Sequence, residues 1–282
     1  MKYVILAFIG LVVAPLAGGL LAGIDRRITA RLQSRQGPPV RQALYDVLKL
    51  FGKEGLALNK WQIICAWVYL IAAALACTLF FLQSDLLLIF FVQAVGAVFL
   101  VMGAMAGRSP YSQVGAQREL IQVLTYEPLL VLVFVCMYLA AGSFNISDIL
   151  AVESPLLAQL PLAYIVLTYV LTIKLRKSPF DFSTSHHGHQ ELVKGVLTEY
   201  SGPYLALTEV AHWYETVLLL GVCALFWTTN WLWMAVLLMA TYFLELVIDN
   251  TMARMTWRWM LKYVWGIGLA MSVVNLIWLY AG

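Results

Sequence analysis

The chain has 282 residues, 62% of them hydrophobic and only 12% charged, with a formal net charge of +3. A soluble domain is about a quarter charged because its surface faces water, so this composition excludes a water-exposed globule. No clustered basic patch suits nucleic acid as a partner.

Spanning a bilayer takes about 20 mostly apolar residues, and such stretches recur at roughly 3–23, 62–82, 86–106, 120–141, 156–173, 204–226, 231–248 and 261–280. The fold predicted is all-α. It is a single polytopic membrane domain over 1–282, with about eight transmembrane helices and amphipathic helices in the loops. The first stretch outruns the h-region of a signal peptide, about 7–15 residues, and runs straight into DRRITAR. It is read as a retained span. Short connections at 83–85 and 227–230 imply antiparallel neighbours, and Trp227, Trp231 and Trp233 read as an interfacial aromatic belt.

The basic residues are strongly one-sided. Arg26, Arg27, Arg31, Arg35, Arg41, Lys49, Lys53 and Lys60 follow the first span, and Arg108 and Arg118 the third. Lys174, Arg176, Lys177 and Lys194 follow the fifth, and Arg254, Arg258 and Lys262 the seventh; Lys2 alone lies opposite. The positive-inside rule then places both termini outside and the long basic loops, 24–61 and 174–203, in the cytoplasm. VRQALYDVLKLFGKEG and GHQELVKGVLTEYSG in these loops carry apolar residues at helical spacing. They read as surface helices or as a docking platform for soluble partners, with docking favoured by the basic face.

A charged group in hydrocarbon is costly and normally faces a bundle interior, water or a partner. Span four carries Glu119 at its cytoplasmic end and Glu127 inside. Pro128 disfavours helical geometry at Glu127 and deprives the Leu124 carbonyl of its donor, so a kink with room for water is predicted there. Span six carries Glu209, His212 and Glu215 within an arc of about 120°. Such a group suits a proton relay or forms a polar cluster at the interface. Span seven carries Glu245 and, a turn later, Asp249, for which Arg254 is a nearby pairing partner.

Cys65, Cys77, Cys136 and Cys223 all lie in apolar stretches without C-x-x-C spacing, so neither an iron–sulfur cluster nor a zinc site is expected from this chain. They read as buried filler. His186, His187 and His189 share one glycine-containing loop without fixed helical spacing, which does not define a metal site. They are read as protonatable loop residues near a partner. No catalytic, metal-binding or cofactor-binding residue is assigned.

DRRITARLQSRQGPP followed by QALYDVLKLFGKE, AQRELIQVLTYEP, and SPFD with QELVKGVLTEYSGP occur in order and cover about a third of the chain. Together they resemble the quinone-site membrane subunit of respiratory complex I, an eight-helix architecture. In that branch the loop after span five is richer in acids, and the position five before Pro179, here Lys174, is commonly Glu. FSTSHHGHQELV and the short first loop are more similar to the homologous subunit of energy-converting, membrane-bound nickel–iron hydrogenases of the Ech type. The resemblance implies a prokaryotic cytoplasmic-membrane subunit with hydrogenase large and small subunits and an iron–sulfur ferredoxin-like subunit docked on it. It also implies an antiporter-like membrane neighbour and ferredoxin as electron donor. The nickel–iron centre and iron–sulfur clusters would belong to those partners, with no cofactor in this chain. Carried over by motif, Asp25, Arg27, Arg31, Arg35 and Asp46 match the first loop. Glu119 and Glu127 match span four, and Asp181, Glu191 and Glu199 match the second loop; Glu209 and Glu215 align loosely with a span-six acid. The acids, with His212, Glu245 and Asp249, are proton-path candidates. The arginines and the three histidines are docking candidates.

Four functions compete on this reading. They are a coupling subunit of a hydrogenase, a quinone-binding subunit of a complex I-like dehydrogenase, a self-sufficient transporter and a passive anchor. A transporter is typically built on internal repeats, and none is visible. An anchor would tolerate Glu127→Gln without loss of pumping.

Overall fold

The computed structural model describes residues 2–56, 59–180, 183 and 194–281, without the side chains of Lys2 and Ala281. The helices are α1 (Lys2–Leu32), α2 (Gln42–Phe51), α3 (Lys60–Phe81), α4 (Leu86–Met105), α5 (Pro110–Ala141) and α6 (Ile146–Leu150). They continue with α7 (Leu156–Gln159), α8 (Pro161–Lys174), α9 (Gly202–Ala224), α10 (Trp231–Thr251) and α11 (Trp257–Ala281). Among the described residues no strand forms; β pairing is limited to an isolated bridge between Asp85 and Asn145. Among the described residues seven helices, namely α1, α3, α4, α5, α9, α10 and α11, are long and apolar enough to cross a membrane. The protein is an all-α polytopic membrane protein, as the composition required.

The fifth predicted span is the exception to full length. Its proline takes the first position of α8, where the missing N–H is harmless, and Leu160 before it turns out of helical geometry (φ −123°, ψ 47°). The span is therefore split into α7 and a 14-residue α8. At 1.5 Å per residue α8 is about 21 Å long, short of a hydrocarbon core of about 30 Å. The break exposes backbone groups that lipid cannot satisfy. Asn275 of α11, fully buried, supplies both partners. Its Oδ1 accepts from the Ala163 N–H at 2.9 Å and its Nδ2 donates to the Gln159 carbonyl at 3.2 Å.

Two other elements outrun the sequence reading. α1 continues nine residues past the predicted end at 23, so Asp25, Arg27 and Arg31 sit on a helix and only Arg35 lies beyond it. IDRRITARL holds no helix breaker before the Gly37-Pro38 pair, and Arg31 in the last turn complements the dipole. α5 begins at Pro110, ten residues before the predicted start, again with proline leading the helix. Glu119 is consequently inside a helix rather than at its end. Pro128 disfavours helical geometry at Glu127, yet α5 runs through both residues as helix. Transmembrane helices tolerate proline where neighbours supply polar partners to the backbone; the Thr125 carbonyl, next to that of Leu124, accepts from Trp265 Nε1 at 3.3 Å. Of the two predicted surface helices, α2 forms. The described end of the second, Gly195–Leu197, is a single 3-10 turn.

The chain divides into two compact units, Met1–Leu82 with Phe90–Ile121 and Phe182–Val217, and Gln83–Ile89 with Gln122–Asp181 and Leu218–Gly282. The first unit buries small residues so that helices approach closely, as membrane bundles do. Ala66, Ala73, Ala104, Ala116 and Ala211 pack with Tyr69, Tyr200 and Tyr214. A Cβ on Gly96 would lie 3.2 Å from Ala72 and 3.3 Å from Tyr69, which brings α3 and α4 together as the short connection predicted. In the second unit α8 packs along α11. Leu129 sits against Gly268, and Tyr164 meets Phe226 edge to face. Trp227 and Trp233 stack at 5.9 Å, and Trp231 is 75% exposed, in keeping with an interfacial belt.

Candidate functional site

In the first unit three polar constellations involve predicted residues. The first is on α9. Glu215 is buried, and its Oε2 accepts from Tyr69 Oη of α3 at 2.9 Å. His212 Nδ1 stands 3.8 Å from the same oxygen, too far for a hydrogen bond but close enough for attraction once the ring is protonated. Glu209, a turn earlier, is half-buried. The helical arc read from the sequence thus joins His212 to Glu215. The tyrosine that fixes Glu215 lies 146 positions away and was not anticipated.

The second constellation is formed where α4 and α5 receive the segment that closes the second loop. Glu119 is buried and accepts a bond from Ser183 Oγ. Ser183 in turn is tied to the 3-10 turn, its carbonyl accepting from the Val196 N–H at 3.1 Å. Three glycines make the bed on which this segment rests. A Cβ on Gly115 would lie 2.3 Å from Val196 N, one on Gly107 3.0 Å from Glu199 Cγ, and one on Gly103 2.1 Å from Tyr200 Oη. Glu199 is half-buried here. Tyr200 is buried beside Cys65, which pushes its phenol above the ordinary value. Asp181, Glu191, His186, His187 and His189 lie outside the described residues.

The third constellation joins α1 to α2. Asp46 accepts from Arg26 Nη1 at 2.9 Å and from Gln42 Nε2 at 2.8 Å, and Asp25 accepts from Thr29 at 3.3 Å. Arg27, Arg31 and Arg35 are exposed. Arg26, the one that actually pairs with Asp46, was not singled out by the motif.

In the second unit Glu127 is half-buried on α5, with Lys174 within electrostatic reach. Lys174 is itself buried, its Nζ lying 4.8 Å from the centroid of the Tyr126 ring. Glu245 is fully buried on α10 and accepts from Thr172 Oγ1 of α8 at 3.1 Å. Asp249 accepts from the Ser178 backbone N–H at 2.9 Å. Among the described residues no three His, Cys, Asp or Glu side chains gather as metal ligands.

Fold and site together define a helical membrane protein that holds carboxylates on hydroxyl donors inside its apolar helices. The profile of the NADH dehydrogenase family matches residues 3–280, and the chain belongs to that family. It is 35% identical to hydrogenase-4 component C of Escherichia coli (strain K12) over 210 residues, 67% of this chain and 64% of that protein. It is 30% identical to formate hydrogenlyase subunit 4 of the same organism over 65% of this chain and 64% of that one. These matches span less than two thirds of those relatives' length. A subunit of the NADH-quinone oxidoreductase of Carboxydothermus hydrogenoformans is 27% identical over 89% of this chain and 81% of its own. The fold is shared with a chain of the membrane-bound sulfane sulfur reductase, an archaeal respiratory membrane complex, at a TM-score of 0.87 and 23% identity. That alignment covers 99% of this chain and 100% of the other.

Proposed function

We propose that this protein is the coupling membrane subunit of an energy-converting hydrogenase. Ferredoxin-dependent hydrogen evolution at docked nickel–iron subunits would drive ions across the membrane, with an antiporter-like subunit alongside. The observation that carries this reading is the bond from Ser183 to Glu119, which ties the second loop directly to an acid within a long membrane helix. Exposed Arg27, Arg31 and Arg35 offer the docked subunits a basic face, which the positive-inside rule places in the cytoplasm.

The chain's own residues then act as follows. A charge change in the docked subunits shifts Ser183, and its hydroxyl is withdrawn from or offered to Glu119. A carboxylate that gains a donor holds its proton less tightly, and one that loses a donor holds it more tightly. Glu127 follows eight residues further along α5, about 12 Å at 1.5 Å per residue, and answers to Lys174. Its proton occupancy is the signal offered to the neighbouring membrane subunit. Hydrogen evolution and ion uptake are to be measured in vesicles carrying the whole assembly. Glu127→Gln is expected to leave hydrogen evolution running and to abolish uptake, and uptake at the unsubstituted rate would reject the route. Mass spectrometry of the purified assembly should find a nickel–iron large subunit.

A second reading is a quinone-binding subunit of a complex I-like dehydrogenase. It is favoured by the extent of the alignments to NADH-quinone oxidoreductase subunits, which reach 96% of this chain against 67% for hydrogenase-4 component C. Binding of a quinone or a quinone-site inhibitor between α1 and the loop that follows it would establish this reading over the first.

A further inference from the structure

Within the second unit, α8 and α10 carry matching polar stripes. Tyr164, Thr168 and Thr172 recur every fourth residue on α8, as Thr241, Glu245 and Asp249 do on α10, so each set lies along one helix face. The stripes meet in register. Tyr164 Oη and Thr241 Oγ1 are 2.5 Å apart, Thr172 Oγ1 is 3.1 Å from Glu245 Oε1, and the Ser178 N–H is 2.9 Å from Asp249 Oδ1. The seam is not fully satisfied. Thr172 has one hydroxyl proton, yet its oxygen also lies 2.9 Å from the Thr168 carbonyl. Glu245 is 0% exposed, and its Oε2 has no hydrogen-bond partner among the described residues.

An ionised carboxyl buried this way costs several kcal/mol unless something compensates its charge. The titratable groups within its electrostatic reach are Lys177 at the end of α8, Asp249 on α10, Tyr164 on α8 and Cys223 on α9. Lys177 is the cation among them. It is 5% exposed, with Nζ 5.3 Å from the Tyr242 ring centroid. Its backbone is wired into the seam, because the Lys177 N–H donates to the carbonyl of Thr172, the residue that holds Glu245, at 3.0 Å. The same turn is stitched to the end of α10. Ser178 Oγ donates to the Met252 carbonyl at 3.0 Å, and the Met255 N–H to the Pro179 carbonyl at 2.6 Å. Residue 181 and the rest of the second loop follow immediately.

We infer that Glu245 is a second proton-binding site, enclosed between α8 and α10, with Lys177 as its positioning residue. Oε2 takes one proton from water at the Asp249 end of the seam and returns it there; no electron and no heavy atom moves. A metal cation suits the place poorly. Hard cations collect about six oxygens, while the Tyr164 and Thr241 hydroxyls are engaged with each other and Lys177 already supplies positive charge. The site is separate from Glu119 and Glu127, and it does not depend on which redox subunits dock.

Infrared difference spectroscopy of the detergent-purified assembly, titrated over pH in H₂O and D₂O, tests this directly. A carboxylic-acid band is expected that titrates and shifts in D₂O, disappears in Glu245→Gln and persists in Glu127→Gln. Lys177→Met should move its midpoint to higher pH, because the carboxylate loses its cation. If Glu245→Gln fails to assemble, Glu245→Asp and Thr172→Val keep the acid and alter its donor, and each should displace the band. A spectrum indifferent to these substitutions, or a band that responds to Na⁺ but not to D₂O, would overturn the proposal.

Discussion

Gly115→Ala probes the link between the loop segment and Glu119 with a single methyl group. The added Cβ would stand 2.3 Å from Val196 N, 2.4 Å from the Gly195 carbonyl carbon and 2.8 Å from Gly195 Cα, where real Cβ atoms essentially never come within 3.0 Å. All three neighbours are backbone, so no side chain can swing aside and the turn itself must retreat. Overpacking of this kind costs about 1–3 kcal/mol. Alanine also gains about 1 kcal/mol over glycine in a helix interior, which would mask part of the effect. Gly266→Ala on α11 supplies the correction, since a Cβ there meets nothing within 4 Å. The stability difference between the two variants should therefore isolate the clash at about 1–3 kcal/mol. The functional effect should be larger than the stability effect. A retreating Val196 draws on the Ser183 carbonyl and moves the hydroxyl that holds Glu119. Thermal unfolding in detergent and ion uptake coupled to hydrogen evolution in vesicles are the paired assays. Gly115→Ala indistinguishable from Gly266→Ala in both would refute the packing argument and the link built on it.

Tyr69→Phe removes a donor to a buried carboxylate without opening a cavity, and should destabilise by about 1.5–3 kcal/mol. A double-mutant cycle with Glu215→Gln should show coupling, and strictly additive effects would count against the bond. Asn275→Ala strips both partners from the break at Leu160 and should cost about 1–3 kcal/mol in detergent unfolding. Hydrogen exchange should speed up most at Ala163, whose N–H the asparagine caps.

Class and span positions were legible because lipid enforces a coarse rule: about 20 apolar residues per crossing. What escaped were the ends. α1 and α5 overran their predicted limits because hydropathy reports where lipid stops, while a helix stops only at a breaker or a cap. Arg26-Arg27-Ile28-Thr29 contains neither, and Pro110 opens α5 rather than ending anything. The acids were legible one by one, since any carboxylate in an apolar run stands out. Their partners were not. Tyr69, Thr172 and Ser183 are ordinary residues in sequence and acquire meaning only when Glu215, Glu245 and Glu119 arrive beside them. Asn275 carried a readable sign, being an amide in an otherwise apolar span, but nothing in the pattern pointed to the Pro161 break as its target.

The 31 residues of α1 make a rod about 46 Å long, half as long again as the roughly 30 Å of hydrocarbon it crosses. The surplus carries Arg26, and through Arg26 the rod is braced against Asp46 of α2. No joint separates the part in lipid from the part in water. If a subunit binds the arginines as proposed, a displacement there would pass along α1 rather than into a slack loop. Along the way it would meet Gly18, where a Cβ would fall 2.6 Å from the Trp213 carbonyl. Trp213 adjoins His212 in sequence, so one continuous helix links the arginine face to the neighbourhood of Glu215.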